Sequence, residues 1–213
     1  VDKVDAAELS WNRLMRWRGE CHRQFGGILD LPVCNVQAEI EGVLASGIRV
    51  LDVGAGAHKP LKSTVTRIGA EYFALDTDPD GEFDFRSFEE VPTQATFDVV
   101  IANQVLEHLP AGDAFMLLAS VHEHLAAGGA LLATVPNAAH PVRQRDCTHI
   151  TAWPMNDLYS IARSAGLDVV RMARYNKIPL TRNPLKRWVV MTACQAFRMD
   201  WCDSLMVLGR KGT

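Results

Sequence analysis

The stretch RVLDVGAGAHKP, residues 49–60, decides the fold. An apolar, β-branched run ends in Asp52 and enters two glycines one residue apart, Gly54 and Gly56, before a polar turn. A strand running into such a loop and then into a helix opens a ligand-binding α/β sheet. Glycine permits positive φ there and lets backbone N–H groups approach a ligand closely. A dinucleotide fingerprint, G-x-G-x-x-G, requires a third glycine at position 59, where this chain has Lys59 preceded by His58. The loop is lined with glycine but is not shaped for a pyrophosphate.

Outward from this stretch, short apolar runs alternate with helical ones. Strands are expected at 48–54, 71–76, 97–102, 130–136 and 167–173, each apolar enough to be buried on both faces. Helices are expected at 62–69, 111–129 and 154–166. In the second, Phe115, Leu118, Val121, His122 and Leu125 recur at helical spacing, and Gly128-Gly129 supplies a stop. The alternation predicts an α/β, Rossmann-like, doubly wound and mostly parallel sheet, expected with seven strands and helical cap elements. A last strand over 203–211 is expected antiparallel at the sheet edge.

Composition narrows the function classes. The chain has 213 residues, 48% hydrophobic and 22% charged, enough for one domain with a sizeable core. A net charge of −3 gives no electrostatic trap for nucleic acid, so no nucleic-acid partner is expected. The cysteines, Cys21, Cys34, Cys147, Cys194 and Cys202, are odd in number and form no C-x-x-C pair, which fits a reducing compartment. No run approaches membrane-spanning length and residues 1–11 hold no signal-type apolar run, so the expectation is a cytoplasmic protein with no membrane partner.

Asp76 ends the second strand about 20 residues after the loop, where an acid accepts both hydroxyls of a ribose. Glycine loop and acid together indicate a nucleoside-bearing ligand. The segments VLDVGAG…KP, EYFALDTDP, FDVVIANQVLEHL, LAAGGALLATVPN and H…T…W…DLYSIARSAGLDVV follow in order over about residues 48–173. Together they resemble the class I S-adenosylmethionine-dependent methyltransferases, in the small-molecule and glycan branch with VLEH after the fourth family strand. The resemblance implies S-adenosylmethionine as cofactor and methyl transfer as the reaction. It implies one methyltransferase domain: 1–47 as N-terminal helical lid, 48–173 as cofactor-binding core, 174–213 as cap insertion and last strand. It also fits the loop, since this cofactor carries no pyrophosphate.

By position, Asp52, Gly54, Ala55 and Gly56 would surround the methionine part, Asp76 the ribose, and Thr77 the adenine. In the family an acid four residues before an LP pair often meets the adenine amine. Counting back from Val91-Pro92, Ser87 stands there to donate or accept, with Phe88 next to stack or offer its backbone N–H. Asn103 and Gln104 would face the sulfonium or the acceptor. A hydroxyl acceptor also needs a general base, and histidine suits neutral pH. His149, with Asp146 beside it to orient it, and His108 are the candidates, with His140 third and expected to face solvent. Glu107 and His108 with His149 or Asp146 have the residue types of a divalent site, and Cys147 with His149 those of half a zinc site. Nothing in the spacing selects either, and no metal is expected.

The N-terminal segment 5–25 interleaves Arg13, Arg16, Arg18 and Arg23 with Trp11 and Trp17, which suggests an amphipathic lid. Residues 185–197 place Leu185, Trp188, Val189, Thr192, Ala193, Ala196 and Phe197 at helical positions. They are expected to pack over the acceptor or on a second subunit, a homodimer being one arrangement open to the chain. The function expected is transfer to a small-molecule or glycan acceptor, most simply at oxygen. The rivals are a catalytically silent cofactor-binding partner protein, transfer to nitrogen or carbon, an NAD-dependent oxidoreductase, and an RNA or protein methyltransferase. The last lacks an NPPY-like tetrapeptide where ANQV stands.

Overall fold

The computed structural model describes residues 10–141, 146–176, 183–197 and 199–213. Six strands form one sheet: β1 (Arg49–Val53), β2 (Glu71–Leu75), β3 (Phe97–Asn103), β4 (Leu125–Pro136), β5 (Asp168–Tyr175) and β6 (Ser204–Arg210). Their order is β2-β1-β3-β4-β6-β5, with only β6 antiparallel to its neighbours. The helices are α1 (Trp11–Phe25), α2 (Val36–Val43), α3 (Lys62–Ile68), α4 (Ala111–His124), α5 (Met155–Ser164) and α6 (Pro184–Phe197).

Strand side chains alternate between two cores. Leu51, Val53, Val100, Ala102, Leu131 and Ala133 share a cluster with residues of α1, α4 and α5. Their neighbours Val50, Val99, Ile101 and Leu132 pack with Ile40 of α2 and Val65 of α3 on the other face. Both faces are covered, which is why the central strands read as unbroken apolar runs. The α/β doubly wound class stands.

Three expectations change. Beyond β2 the described residues hold only an isolated bridge, Leu75 to Phe85, in place of a seventh strand. Asp84 explains this: its carboxylate accepts from Ala74 N at 2.8 Å, occupying an outward donor that a further strand would use. The last strand is antiparallel but lies inside the sheet, between β4 and β5. Leu205, Met206 and Val207 are at most 1% exposed, a burial that an edge does not provide, whereas Val170 of β5 is 49% exposed at the edge. Finally, α4 stops at His124 and β4 begins at Leu125. Gly128-Gly129 therefore belongs to a strand whose register with β3 shifts. A Cβ on Gly129 would meet Ala126 O at 2.9 Å and Asp98 O at 3.1 Å, so glycine serves close backbone approach, not a helix stop.

Helix α1 lies along α5, with Arg18 paired to Asp157 at 2.5 Å and the Tyr159 hydroxyl donating to Glu20 at 2.7 Å. Residues 5–9 of the expected helix lie outside the described residues, as does Arg182 near the start of the cap.

Candidate functional site

The carboxyl ends of β1 and β2 are joined by backbone hydrogen bonds. Gly54 N donates to Leu75 O at 2.8 Å, and Gly56 N to Asp76 Oδ2 at 2.7 Å. Asp78 N reaches the other carboxylate oxygen, Oδ1, at 2.9 Å. A carboxylate has about four lone-pair sites, so about two remain for outside donors such as a pair of hydroxyls. Gly54 and Gly56 both have positive φ, 69° and 64°. They differ in surroundings. A Cβ on Gly54 would lie 2.4 Å from Val105 Cγ2, while one on Gly56 would meet nothing within 4 Å. Open space above Gly56, bounded by an acid with free lone pairs, is a cradle that fits a nucleoside-bearing ligand. Ala55 is buried beneath it and Thr77 is exposed beside it.

Lys59 resolves the missing glycine. Its φ is 44°, so the loop keeps the left-handed turn at the third position with a side chain present. Lys59 Nζ turns to Glu82 O and lies over the Phe83 ring, away from the loop mouth. His58 is exposed. Asp52 is buried and accepts from the Tyr72 hydroxyl at 2.7 Å. Burial pushes the Asp52 carboxyl up to about 6; the Tyr72 hydrogen bond opposes the shift and the Asp76 charge adds to it.

At the end of β3, Asn103 and Gln104 are tied to buried Thr134 of β4. Thr134 Oγ1 donates to Asn103 Oδ1 at 2.6 Å, and Gln104 N donates to Thr134 O at 3.0 Å. Gln104 holds φ at 60°, a conformation that a non-glycine residue keeps only where its surroundings enforce it. Tyr175, not singled out from sequence, ends β5 with its ring buried. Its pKa is raised by burial, with Thr134 and Ser204 hydrogen-bonding its hydroxyl.

The histidines meet through the chain after β4. Glu107, in the 3₁₀ turn Leu106–His108, is buried, and its carbonyl accepts from Ile150 N at 2.8 Å and Thr151 N at 3.0 Å. Thr151 Oγ1 donates to Leu109 O at 2.6 Å. These bonds set the His108 and His149 rings edge to face, 5.0 Å between centroids. Asp146 is 3.9 Å from His149 Nε2, too far for a hydrogen bond. It reaches His108 instead. Thr148 Oγ1 donates to Asp146 Oδ1 at 2.7 Å and sits 3.0 Å from His108 Nδ1. The backbone and side-chain bonds from Thr148 hold the Asp146 carboxyl below its usual range. Thr148 is the residue that sequence reasoning misses; its only signal is its place between Asp146 and His149.

Glu107, His108 and His149 each bring one ligand atom within 4.8 Å of the others, a donor set able to take a divalent ion. Phe88 packs its ring on His124, the last residue of α4, 5.4 Å away, and Ser87 hydrogen-bonds Glu89. His140 is 7% exposed and lies against Trp201, so the solvent-facing reading is corrected: aromatic packing buries it. Cys147 is exposed. Along α1, Arg16 lies over the Trp17 ring and Arg18 over Trp11, so two of its arginines pack on its own aromatics.

A methyltransferase domain family model matches residues 31–172. Solved structures of the same fold include a SAM-dependent methyltransferase from Archaeoglobus fulgidus, at 18% identity and TM-score 0.65, covering 83% of this chain and 91% of that one. Another is an S-adenosylmethionine-dependent methyltransferase from Mesorhizobium loti, at 14% identity and TM-score 0.58, covering 82% and 96%. A chain from the complex of the Haloferax volcanii Trm112 methyltransferase activator aligns at 17% identity and TM-score 0.63, covering 100% and 99%. No curated protein matches the chain. At these identities the solved structures speak for the fold, and the family model, spanning more than half of the sequence, for the family. The glycine cradle beside Asp76 thus sits in a chain that belongs to the methyltransferase domain family, as a class I methyltransferase using S-adenosylmethionine.

Proposed function

We propose that the protein methylates an oxygen of a small-molecule or glycan acceptor, with His108 as the group that removes the acceptor proton. The relay Asp146–Thr148–His108 carries this reading. Thr148 has one hydroxyl proton and places it on the Asp146 carboxylate, so its lone pairs face His108 Nδ1. Nδ1 then carries the ring hydrogen, a tautomer assigned from the hydrogen-bond network. Nε2 is left with a lone pair, the form a general base requires.

Bound S-adenosylmethionine supplies a methyl group on a positively charged sulfur, and the rest of the task is alignment and proton removal. In this reading Asp76 takes the ribose hydroxyls and Thr77 adjoins the adenine. Asp52 and the Gly54–Gly56 backbone receive the methionine end, its ammonium favouring the ionised Asp52. Asn103 and Gln104, locked by Thr134, form the floor where acceptor and methyl meet. His108 Nε2 takes the proton as the acceptor oxygen is methylated, and His149 holds the acceptor against it. The N-terminal segment 1–47 acts as the lid. Its His22 and Gly26–Ile28 border a cavity of about 330 Å³ with Ala138, Ala139 and Met155, a size suited to a small acceptor.

The test is S-adenosylhomocysteine release across a panel of hydroxylated acceptors. His108→Ala should lower turnover about 10²–10⁴-fold, with homocysteine-analogue binding by calorimetry unchanged, and Thr148→Val should lower turnover less and shift the pH–rate profile. Unchanged turnover in His108→Ala rejects the base. A wild-type protein that binds the analogue but methylates no hydroxylated acceptor rejects the oxygen reading.

A further inference from the structure

Helix α6 wears its apolar stripe outward. Residues Leu185, Trp188, Val189, Thr192 and Ala196 recur at three- and four-residue spacing, so they share one face. That face meets solvent: Leu185 is 67% exposed, Trp188 65% and Val189 52%, with Phe197 at 72% near the helix end. The helix is anchored from the opposite side. Cys194 is buried, and Met199 N donates to Cys194 O at 2.9 Å. Asp200 just beyond binds buried Arg174 at 2.8 Å and accepts from Asn137 Nδ2 at 2.8 Å. At the other end, Asn183 Oδ1 accepts from Leu185 N and Lys186 N, which caps the first turn. The helix, anchored near its end at Cys194, thus presents tryptophan and branched aliphatics to solvent.

Charge selects what covers it. Five of the 22 lysines and arginines of the chain, Lys177, Arg182, Lys186, Arg187 and Arg198, fall within 176–199, and none of its 25 acidic residues does. Exposed Lys186 borders the apolar stripe, and exposed Arg187 lies further round the helix, on the Cys194 side. A second copy of this segment brings no acidic residue to pair with these cations, which disfavours α6 packing on α6. An anionic surface satisfies both the apolar stripe and the cations of this segment. A helix of 14 residues is about 21 Å long, short of a bilayer core of about 30 Å. No helix among the described residues is long and apolar enough to cross a membrane. The arrangement is that of a helix lying in the interfacial plane, with Trp and aliphatics on one face and Lys and Arg on the rest of its surface.

We propose that α6 docks the protein on the surface of bilayers carrying anionic phospholipid headgroups, where the sequence alone suggested no membrane partner. The experiment is flotation of the purified protein with vesicles of phosphatidylcholine and phosphatidylglycerol at equal parts, against pure phosphatidylcholine, at low and high salt. The expected result is binding to the anionic vesicles only, weakened by salt. Lys186→Ser with Arg187→Ser should weaken partitioning about five-fold per cation removed. Trp188→Ser with Leu185→Ser should reduce it at least as strongly, while thermal melting and S-adenosylhomocysteine binding stay unchanged. Absence of binding to anionic vesicles, equal binding to both vesicle types, or full binding by the Trp188→Ser/Leu185→Ser variant overturns the proposal. So does a dimer in sedimentation velocity that this variant converts to monomer, since the face is then covered by a second copy.

Discussion

The two halves of the site are built differently. At β1 and β2 the parts are local: the glycines follow their strand directly, and Asp76 is brought in by the neighbouring parallel strand, with Gly56 N on its carboxylate. At β3 the parts are remote. His108 and His149 are 41 positions apart and meet only because Ile150 and Thr151 dock on the Glu107 carbonyl. The first half is held by the ladder that makes the sheet; the second hangs on a few hydrogen bonds from a loop. The proposed function would therefore place cofactor recognition in the stiffer half and proton handling in the half whose geometry is easier to loosen.

Perturbing each half separately tests this division. The largest effect is expected from Gly54→Ala in the stiff half. The new methyl meets Val105 Cγ2 at 2.4 Å in a left-handed backbone, and overpacking together with the left-handed strain costs about 3–4 kcal/mol. Thermal melting should drop sharply and S-adenosylhomocysteine binding should be lost; a protein as stable as wild type would show that the loop yields. Next is Asp52→Asn. Because burial raises the folded carboxyl to about 6, above its ordinary 3.8, the folded state holds the proton more tightly than the unfolded chain. Asp52 therefore costs stability as pH rises through about 6, and the cost vanishes below about 4. The amide should stabilise the protein by about 2 kcal/mol at pH 7 and by almost nothing at pH 4, while weakening cofactor binding. Melting curves across pH decide it, and a gain that does not fade in acid contradicts the assigned cause.

The smallest effect should come from Thr151→Val in the loosely held half. Losing its 2.6 Å bond to Leu109 O costs about 1 kcal/mol of stability. Turnover should fall while S-adenosylhomocysteine affinity stays at the wild-type value. Equal losses of both would mean that the halves are one unit.

Much of the stiff half is legible in the amino-acid sequence alone. Gly54, Gly56 and Asp76 carry their meaning in residue type and spacing, because strand, turn and acid are each local choices. Even the absent glycine is informative, although only the backbone shows that Lys59 keeps the glycine conformation. The other half is legible as residues and not as connections. Adjacency in the chain pairs Asp146 with His149, yet the carboxylate reaches His108 through the Thr148 hydroxyl. Chain order sets which groups are available, whereas the direction of a hydroxyl depends on how the loop docks. The same limit hides Tyr175 and buried His140, whose environments are made by β6 and Trp201.

By itself, then, the sequence determined the doubly wound sheet and the glycine loop with its acid. These follow from periodicity and short-range spacing, which act within one strand–turn–helix unit. Tertiary structure decided the place of β6, the partner of Asp146 and the outward turn of the apolar face of α6. Each of these is a competition for burial or for a hydrogen-bond partner among segments far apart in the chain, and only the packed fold ranks the competitors.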